Sequence, residues 1–156
     1  MPFASRRLFL TLATAALLAG CSPVRRTQTR PSGSDLPGGS PQLRALIDRY
    51  ADTYDVPRSL VHRVVHRESR YNPAARNGPY WGLMQILPQT ARTMGHNGPP
   101  AELLDAETNL RYAVKYLRGA WIVADGSEDR AVMWYAKGYY YEAKRRGLLR
   151  ETGLRA

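Results

Sequence analysis

The sequence has a single cysteine, Cys21, among its 156 residues, so no intramolecular disulfide can staple the fold. No stretch alternates apolar and polar residues for long enough to read as a sheet strand. No apolar run reaches the roughly 20 residues that a membrane-spanning helix needs. Acid is scarce as well: 13 Asp and Glu stand against 23 Lys and Arg, a formal charge of +10. Such an excess favours anionic partners. Yet there is no helix-turn-helix, zinc-finger or RNP pattern, and the basic residues are scattered rather than striped, which argues against nucleic acid.

What is present begins with "MPFASRRLFLTLATAALLAGC". A basic start at Arg6 and Arg7, an apolar run from Leu8 to Leu18 and small residues before the cysteine read as a secretory signal over residues 1–20. Leu18-Ala19-Gly20-Cys21 resembles the bacterial lipobox, which implies lipidation at Cys21 and a membrane anchor there. Ser22, rather than Asp, implies onward transport to the outer membrane of a Gram-negative cell. The alternative is an ordinary cleaved signal with an incidental cysteine. Losing Arg6 and Arg7 with the signal leaves about +8, in a compartment whose anions are lipid and cell wall. Residues 21–40 are Pro, Gly, Ser, Thr and Arg with little to bury, the composition of a flexible linker. Residues 41–156 suffice for one small domain around a single core.

Helical spacing dominates that domain. Leu43, Leu46, Ile47, Tyr50 and Tyr54 trace an amphipathic helix with Pro41 at its start. "PRSLVHRVVHRES" starts at Pro57 and is expected to end at Asn72-Pro73, because a residue before proline avoids the helical region. A short helix opens at Pro88 and stops at Gly95. Leu110, Ala113, Val114, Leu117, Trp121 and Ala124 mark one face of a helix from Thr108, ended by Gly126. Ser127 caps another, with Glu128 and Asp129 in its first turn. The expected class is all-α, with a short irregular or hairpin element between Asn77 and Met84.

On the second of these helices, Val61, Val64 and Val65 mark the buried face, and Glu68 follows at seven, four and three residues from them. One reading is a charge at a helix end, paired with Arg67 or Arg70. The other is a carboxyl on an apolar face, where desolvation disfavours the ion and raises the pKa. A pKa raised to roughly 6 suits a general acid in glycoside cleavage.

The residues that follow bear on that choice. Glu68-Ser69, Asn72-Pro73-x-Ala75 and Gly82-Leu83-Met84-Gln85-Ile86-x-Pro88-x-Thr90-Ala91 stand in one register. The segment resembles the signature of the lysozyme-like lytic transglycosylases, the soluble lytic transglycosylase group of glycoside hydrolase family 23. Asn109, Tyr112, Tyr116 and Leu117 match a later helix of that family, with Ala113 in place of its Gly. Tyr135 and Gly138 match a further block, with Ala136 in place of its Asn. Asn77 and Tyr80-Trp81 also depart from the pattern. The resemblance covers roughly residues 43–147 and implies a lysozyme-like domain that cleaves peptidoglycan glycan strands between N-acetylmuramic acid and N-acetylglucosamine. It implies Glu68 as the catalytic acid and then base. Ser69, Met84, Gln85, Tyr135, Tyr116 and Tyr80 become the candidate substrate-binding residues.

The chemistry agrees with a lone acid. Glycoside hydrolysis ordinarily uses two carboxylates, and the signature supplies one. A muramyl sugar can instead attack its own C1 with its C6 hydroxyl, closing a 1,6-anhydro ring, so that one Glu serves as acid and then base. No cofactor is expected. His62 and His66 stand four apart, but Arg63 occupies the position where a zincin helix needs Glu. The pair therefore reads as part of a solvated basic face, with no metal. A hydrolytic muramidase of the same fold and a non-catalytic wall-binding lipoprotein remain the alternatives.

Overall fold

A computed structural model describes residues 38–155. The signal segment, Cys21 and most of the linker lie outside the described residues.

Six α-helices and one short hairpin follow in the order α1 (Pro41–Thr53), α2 (Arg58–Ser69), β1 (Arg76–Asn77), β2 (Tyr80–Trp81), α3 (Pro88–Thr93), a 3-10 turn (Pro100–Leu104), α4 (Ala106–Val123), α5 (Glu128–Lys137) and α6 (Tyr140–Arg145). The all-α class is as the spacing predicts, and the irregular or hairpin element expected between Asn77 and Met84 is a hairpin that starts one residue earlier, at Arg76. Side chains cap the starts of α1, α4 and α5. Ser40 Oγ accepts from Leu43 N at 3.2 Å, with Pro41 in the first turn. Asp105 Oδ1 accepts from Thr108 N at 2.8 Å, and Ser127 Oγ from Arg130 N at 3.4 Å. Each such cap is worth about 1 kcal/mol.

The longest helix, α4, is the axis of the core. Its face of Leu110, Ala113, Val114, Leu117 and Ala120 is fully buried, and α1, α3 and α5 all pack on it. The valines of α2 are buried as expected, Val61, Val64 and Val65 having no exposed surface.

Helix α2 ends earlier than the proline rule predicts. Arg70 and Tyr71 both adopt left-handed backbone, φ 51° and 65°, which costs a residue with a Cβ roughly 1–2 kcal/mol. A buried contact holds that turn. The Tyr71 hydroxyl lies 3.1 Å from His62 Nδ1, and His62 Nε2 lies 3.0 Å from Asp48 Oδ1 of α1. Arg44 stacks over the Tyr71 ring at 4.8 Å. His62 is therefore not on a solvated face, as the spacing suggested, but wholly buried. Both ring nitrogens have partners, which is what makes burial of an imidazole tolerable. Burial nonetheless pushes its pKa down, against the pull of Asp48.

The apolar segment after the hairpin is buried because the core accepts its backbone. Gly82 to Ile86 are all buried, which obliges their amides and carbonyls to find partners. Trp81 and Ile86 exchange two backbone hydrogen bonds at 3.1 Å each, and Gly82 N donates to Ala75 O at 2.8 Å. Asn109 of α4 supplies the rest. Its Oδ1 accepts from Met84 N at 3.0 Å, and its Nδ2 donates to Trp81 O at 2.9 Å and Leu103 O at 2.8 Å. Gly82 is required at this junction. Its φ is 73°, and a Cβ there would stand 2.1 Å from Leu103 O and 2.3 Å from Asn109 Nδ2.

Asn109→Ala strands one buried amide and two buried carbonyls. It is expected to destabilise the domain by roughly 3 kcal/mol in urea denaturation; a loss below about 0.5 kcal/mol, the scale of an ordinary surface substitution, would contradict this account.

Candidate active site

Two helices converge where Glu68 stands. The first turn of α5 is tied to α2 by Ser59 Oγ, which donates to Glu128 Oε1 at 2.6 Å, and by Arg63 paired with Asp129 at 2.7 Å. From the Ser59–Glu128 contact Glu68 is nine residues further along α2 and Tyr135 seven further along α5, roughly 13 and 10 Å of helix. The two side chains arrive close enough to interact. Burial pushes the Tyr135 phenol well above its ordinary value, and the neighbouring Glu68 charge pushes it further.

Glu68 itself is in the last turn of α2, with its side chain 23% exposed. Burial raises its pKa, and Arg67, 3.6 Å away, opposes the shift. Both sequence readings of this acid are thus physically present, and desolvation outweighs the ion pair. A contact of 3.6 Å to a half-exposed arginine is a weak pairing. Among the described residues no group hydrogen-bonds the Glu68 carboxyl, which leaves it free to bond a ligand.

A cleft of about 200 Å³ opens beside Tyr135. Tyr80, Gln85, Tyr116 and Tyr135 line it, together with Thr90 and the Ala136-Lys137-Gly138 end of α5. Four of the six candidate substrate-binding residues therefore share one cavity. Gln85 is held in left-handed backbone, φ 48°, by its own amide, whose Nε2 donates to Gly82 O at 2.8 Å and Ala75 O at 3.1 Å. Tyr135 donates its hydroxyl to Met84 O at 2.8 Å. Tyr116 meets the Tyr135 ring edge-on at 5.5 Å and the Tyr139 ring at 4.7 Å, and burial pushes its phenol up to about 12. Tyr139 donates to Tyr116 O at 2.9 Å, so the three rings pack as one cluster, of which Tyr116 and Tyr135 line the cleft.

The other two candidates are placed differently. The Met84 side chain is fully buried, and it is its carbonyl that touches Tyr135. Ser69 Oγ donates back to Val65 O at 3.3 Å along its own helix. Neither they nor Glu68 line the 200 Å³ cavity, and no carboxylate does. Thr90 and Lys137 were not anticipated as cleft residues. Thr90 belongs to the matched motif, and Lys137 adjoins the departure at Ala136, so both had a signal in the sequence.

The family model for the transglycosylase SLT domain matches residues 45–148, most of the chain. The chain belongs to this family. Its all-α, lysozyme-like architecture is the one the sequence resemblance implied. Over 98 residues, 60% of its length, the chain is 34% identical to the peptidoglycan transglycosylase gp16 of Escherichia phage T7. Over 81 residues, 47% of its length, it is 33% identical to the soluble lytic murein transglycosylase of Escherichia coli K12. These relatives are much longer proteins, of which the matching stretches make up 7% and 12%. No solved structure matches.

The raised pKa of Glu68 has a consequence for stability. A carboxyl whose folded pKa lies above its unfolded value stabilises the fold fully below the unfolded value, about 4.3 for Glu. That contribution is lost as pH rises through the raised folded pKa. Glu68→Gln is expected to have a higher Tm than the parent at pH 7, and the gap should close as pH falls towards 4. Calorimetry at the two pH values tests this; a variant less stable than the parent at pH 7 would mean that the carboxylate is favourably paired instead.

Proposed function

We propose that the chain is a lytic transglycosylase of peptidoglycan that cuts the β-1,4 bond between N-acetylmuramic acid and N-acetylglucosamine. The observation that carries this reading is the solitary, desolvated and hydrogen-bond-free carboxyl of Glu68, beside a cleft that has no second carboxylate. Family membership and the peptidoglycan and murein named for the relatives support the same substrate class.

The protonated Glu68 gives its proton to the glycosidic oxygen as the bond to C1 of the muramyl sugar breaks. The C6 hydroxyl oxygen of that sugar bonds to C1, and its proton passes to the Glu68 carboxylate, restoring the acid. No water is consumed, and the product ends in a 1,6-anhydromuramyl ring. A raised pKa keeps the acid protonated closer to neutral pH, which the first step requires. Attacker and leaving group belong to one sugar, so orientation takes over the work of a second carboxylate. Tyr80, Tyr116, Tyr135 and Gln85 hold the sugars, with aromatic rings against their apolar faces. Tyr135 is committed as a donor to Met84 O, so towards Glu68 or a sugar hydroxyl it acts as an acceptor or as a wall.

The wall substrate implies a periplasmic or cell-wall location. Leu18-Ala19-Gly20-Cys21 supports a lipid anchor at Cys21 and, with Ser22, the outer membrane. Cys21→Ala in the full chain is expected to move the protein from the membrane to the soluble fraction and to abolish labelling by palmitate; unchanged partitioning would refute the anchor.

Digestion of purified sacculi by the domain without its N-terminal segment tests the activity. Mass spectrometry is expected to find glycan ends lighter by one water than hydrolytic ends, with at least a thousandfold loss in Glu68→Gln, in the range that general acid–base catalysis contributes together with positioning. Ordinary reducing ends would instead identify a hydrolytic muramidase. Wall binding without cleavage by either form would identify a binding protein.

A further inference from the structure

One lining residue of the cleft does not fit a neutral sugar. Lys137 is the only charged side chain among the lining residues, whose other members are tyrosines, Gln85, Thr90 and aliphatic groups. It ends α5, two residues beyond Tyr135, and is exposed. Among the described residues it has no ion-pair or hydrogen-bond partner, whereas Arg58, Arg63, Arg145 and Arg146 each hold a carboxylate. Gly138, at φ 84°, turns the chain immediately after it and lies near the Tyr116 hydroxyl, 3.9 Å from where a Cβ would stand. Lys137 thus stands on the cleft lining without a carboxylate of its own. Ala136, beside it, offers no polar group of its own.

The two sugars of the glycan are N-acetylated and uncharged along the chain. The anions of an intact strand are the carboxylates of the peptide stem, attached through the lactyl group of each muramyl residue, whose own carboxyl is tied up as an amide. We infer that Lys137 is a specificity-determining residue that pairs with a stem-peptide carboxylate and makes the enzyme prefer strands carrying charged stems. This rests on the proposed transglycosylase reading. A cation that holds no carboxylate of its own is open to a counter-ion brought by the substrate, without an existing ion pair to break. A lysine at a helix C-terminus also complements the helix dipole, a role that concerns stability alone and leaves substrate choice untouched.

The experiment compares kcat/KM on glycan strands of one length in two forms, with stem carboxylates free and with the same groups converted to carboxamides. The parent is expected to favour the free form by about fivefold, a ratio that shrinks as salt is raised, as screening of a partly exposed pair requires. Lys137→Arg should keep the preference, Lys137→Met should bring the ratio close to one, and Lys137→Glu should invert it. Strands stripped of stems by an amidase expose the lactyl carboxylate instead and should be cut no better by the parent than the carboxamide form. A parent ratio near one, or a ratio indifferent to Lys137→Met and Lys137→Glu, would overturn the inference while leaving the cleavage reading standing. Stripped strands cut as fast as free-stem strands, with the same dependence on Lys137, would overturn the stem assignment. Failure to cut any of the three would remove both readings.

Discussion

The site depends on one buried amide. Asn109, with no exposed surface, reaches from α4 to hold Trp81, Met84 and Leu103 by their backbones. A segment as apolar as Gly82 to Ile86 could enter the core of many folds, but its peptide groups could not, because each unsatisfied one costs about 1–3 kcal/mol. The Asn109 side chain offers an acceptor and a two-hydrogen donor in fixed relation, which no aliphatic residue can imitate. Gly82 is its complement: without a Cβ it lets the amide approach to where a methyl group would overlap it. Everything facing the cleft from this side follows. The Met84 carbonyl is presented to Tyr135, Gln85 is turned into its left-handed state, and the hairpin is closed against Ile86.

A second constraint sets Glu68. The acid extends the face of Val61, Val64 and Val65, so α2 holds it half-buried against the core, while the left-handed pair Arg70 and Tyr71 ends the helix just beyond it. That stop is strained, and the strain is met by a chain of buried polar contacts from Tyr71 through His62 to Asp48. The same helix therefore carries both the desolvated acid and the residue that anchors its end. Desolvation of a weakly paired carboxyl opposes folding and favours proton donation at once, a conflict commonly found where function takes precedence over stability.

Much of this was legible in the sequence because it is written in periodicity. Helical spacing located α1, α2, α4 and α5, and the spacing of three valines put Glu68 on the buried face without reference to any relative. The hairpin, expected as an irregular or hairpin element between Asn77 and Met84, begins one residue earlier, at Arg76. What was not legible depends on partners distant in the chain. His62 looked like one of a solvated pair because only the fold brings Asp48 and Tyr71 to its two nitrogens. Helix α2 stops at Ser69 for the same reason: nothing local to Arg70 and Tyr71 favours left-handed backbone, and their compensation comes from α1. Met84 and Ser69 have the residue types of a cleft, yet a fully buried side chain and a hydroxyl bonded to its own helix are facts of packing that spacing does not encode.

The first described residues connect these two constraints with the rest of the chain. Gly38 and Gly39 lie on the Tyr71 ring so closely that a Cβ on either would come within 2.8 and 3.0 Å of it, and Arg44 stacks over the same ring. Tyr71 is thus held by its hydroxyl from inside the domain and by its ring from the chain that leads into it. Only residues without side chains permit that approach, so the diglycine acts as a fitted surface as well as a piece of linker composition. The domain consequently meets its N-terminal segment three residues away from Glu68 in sequence, at the turn that fixes the acid. Gly38 and Gly39 therefore pack on the residue that stops α2, and the buried contact from Tyr71 to His62 ties that residue to the core.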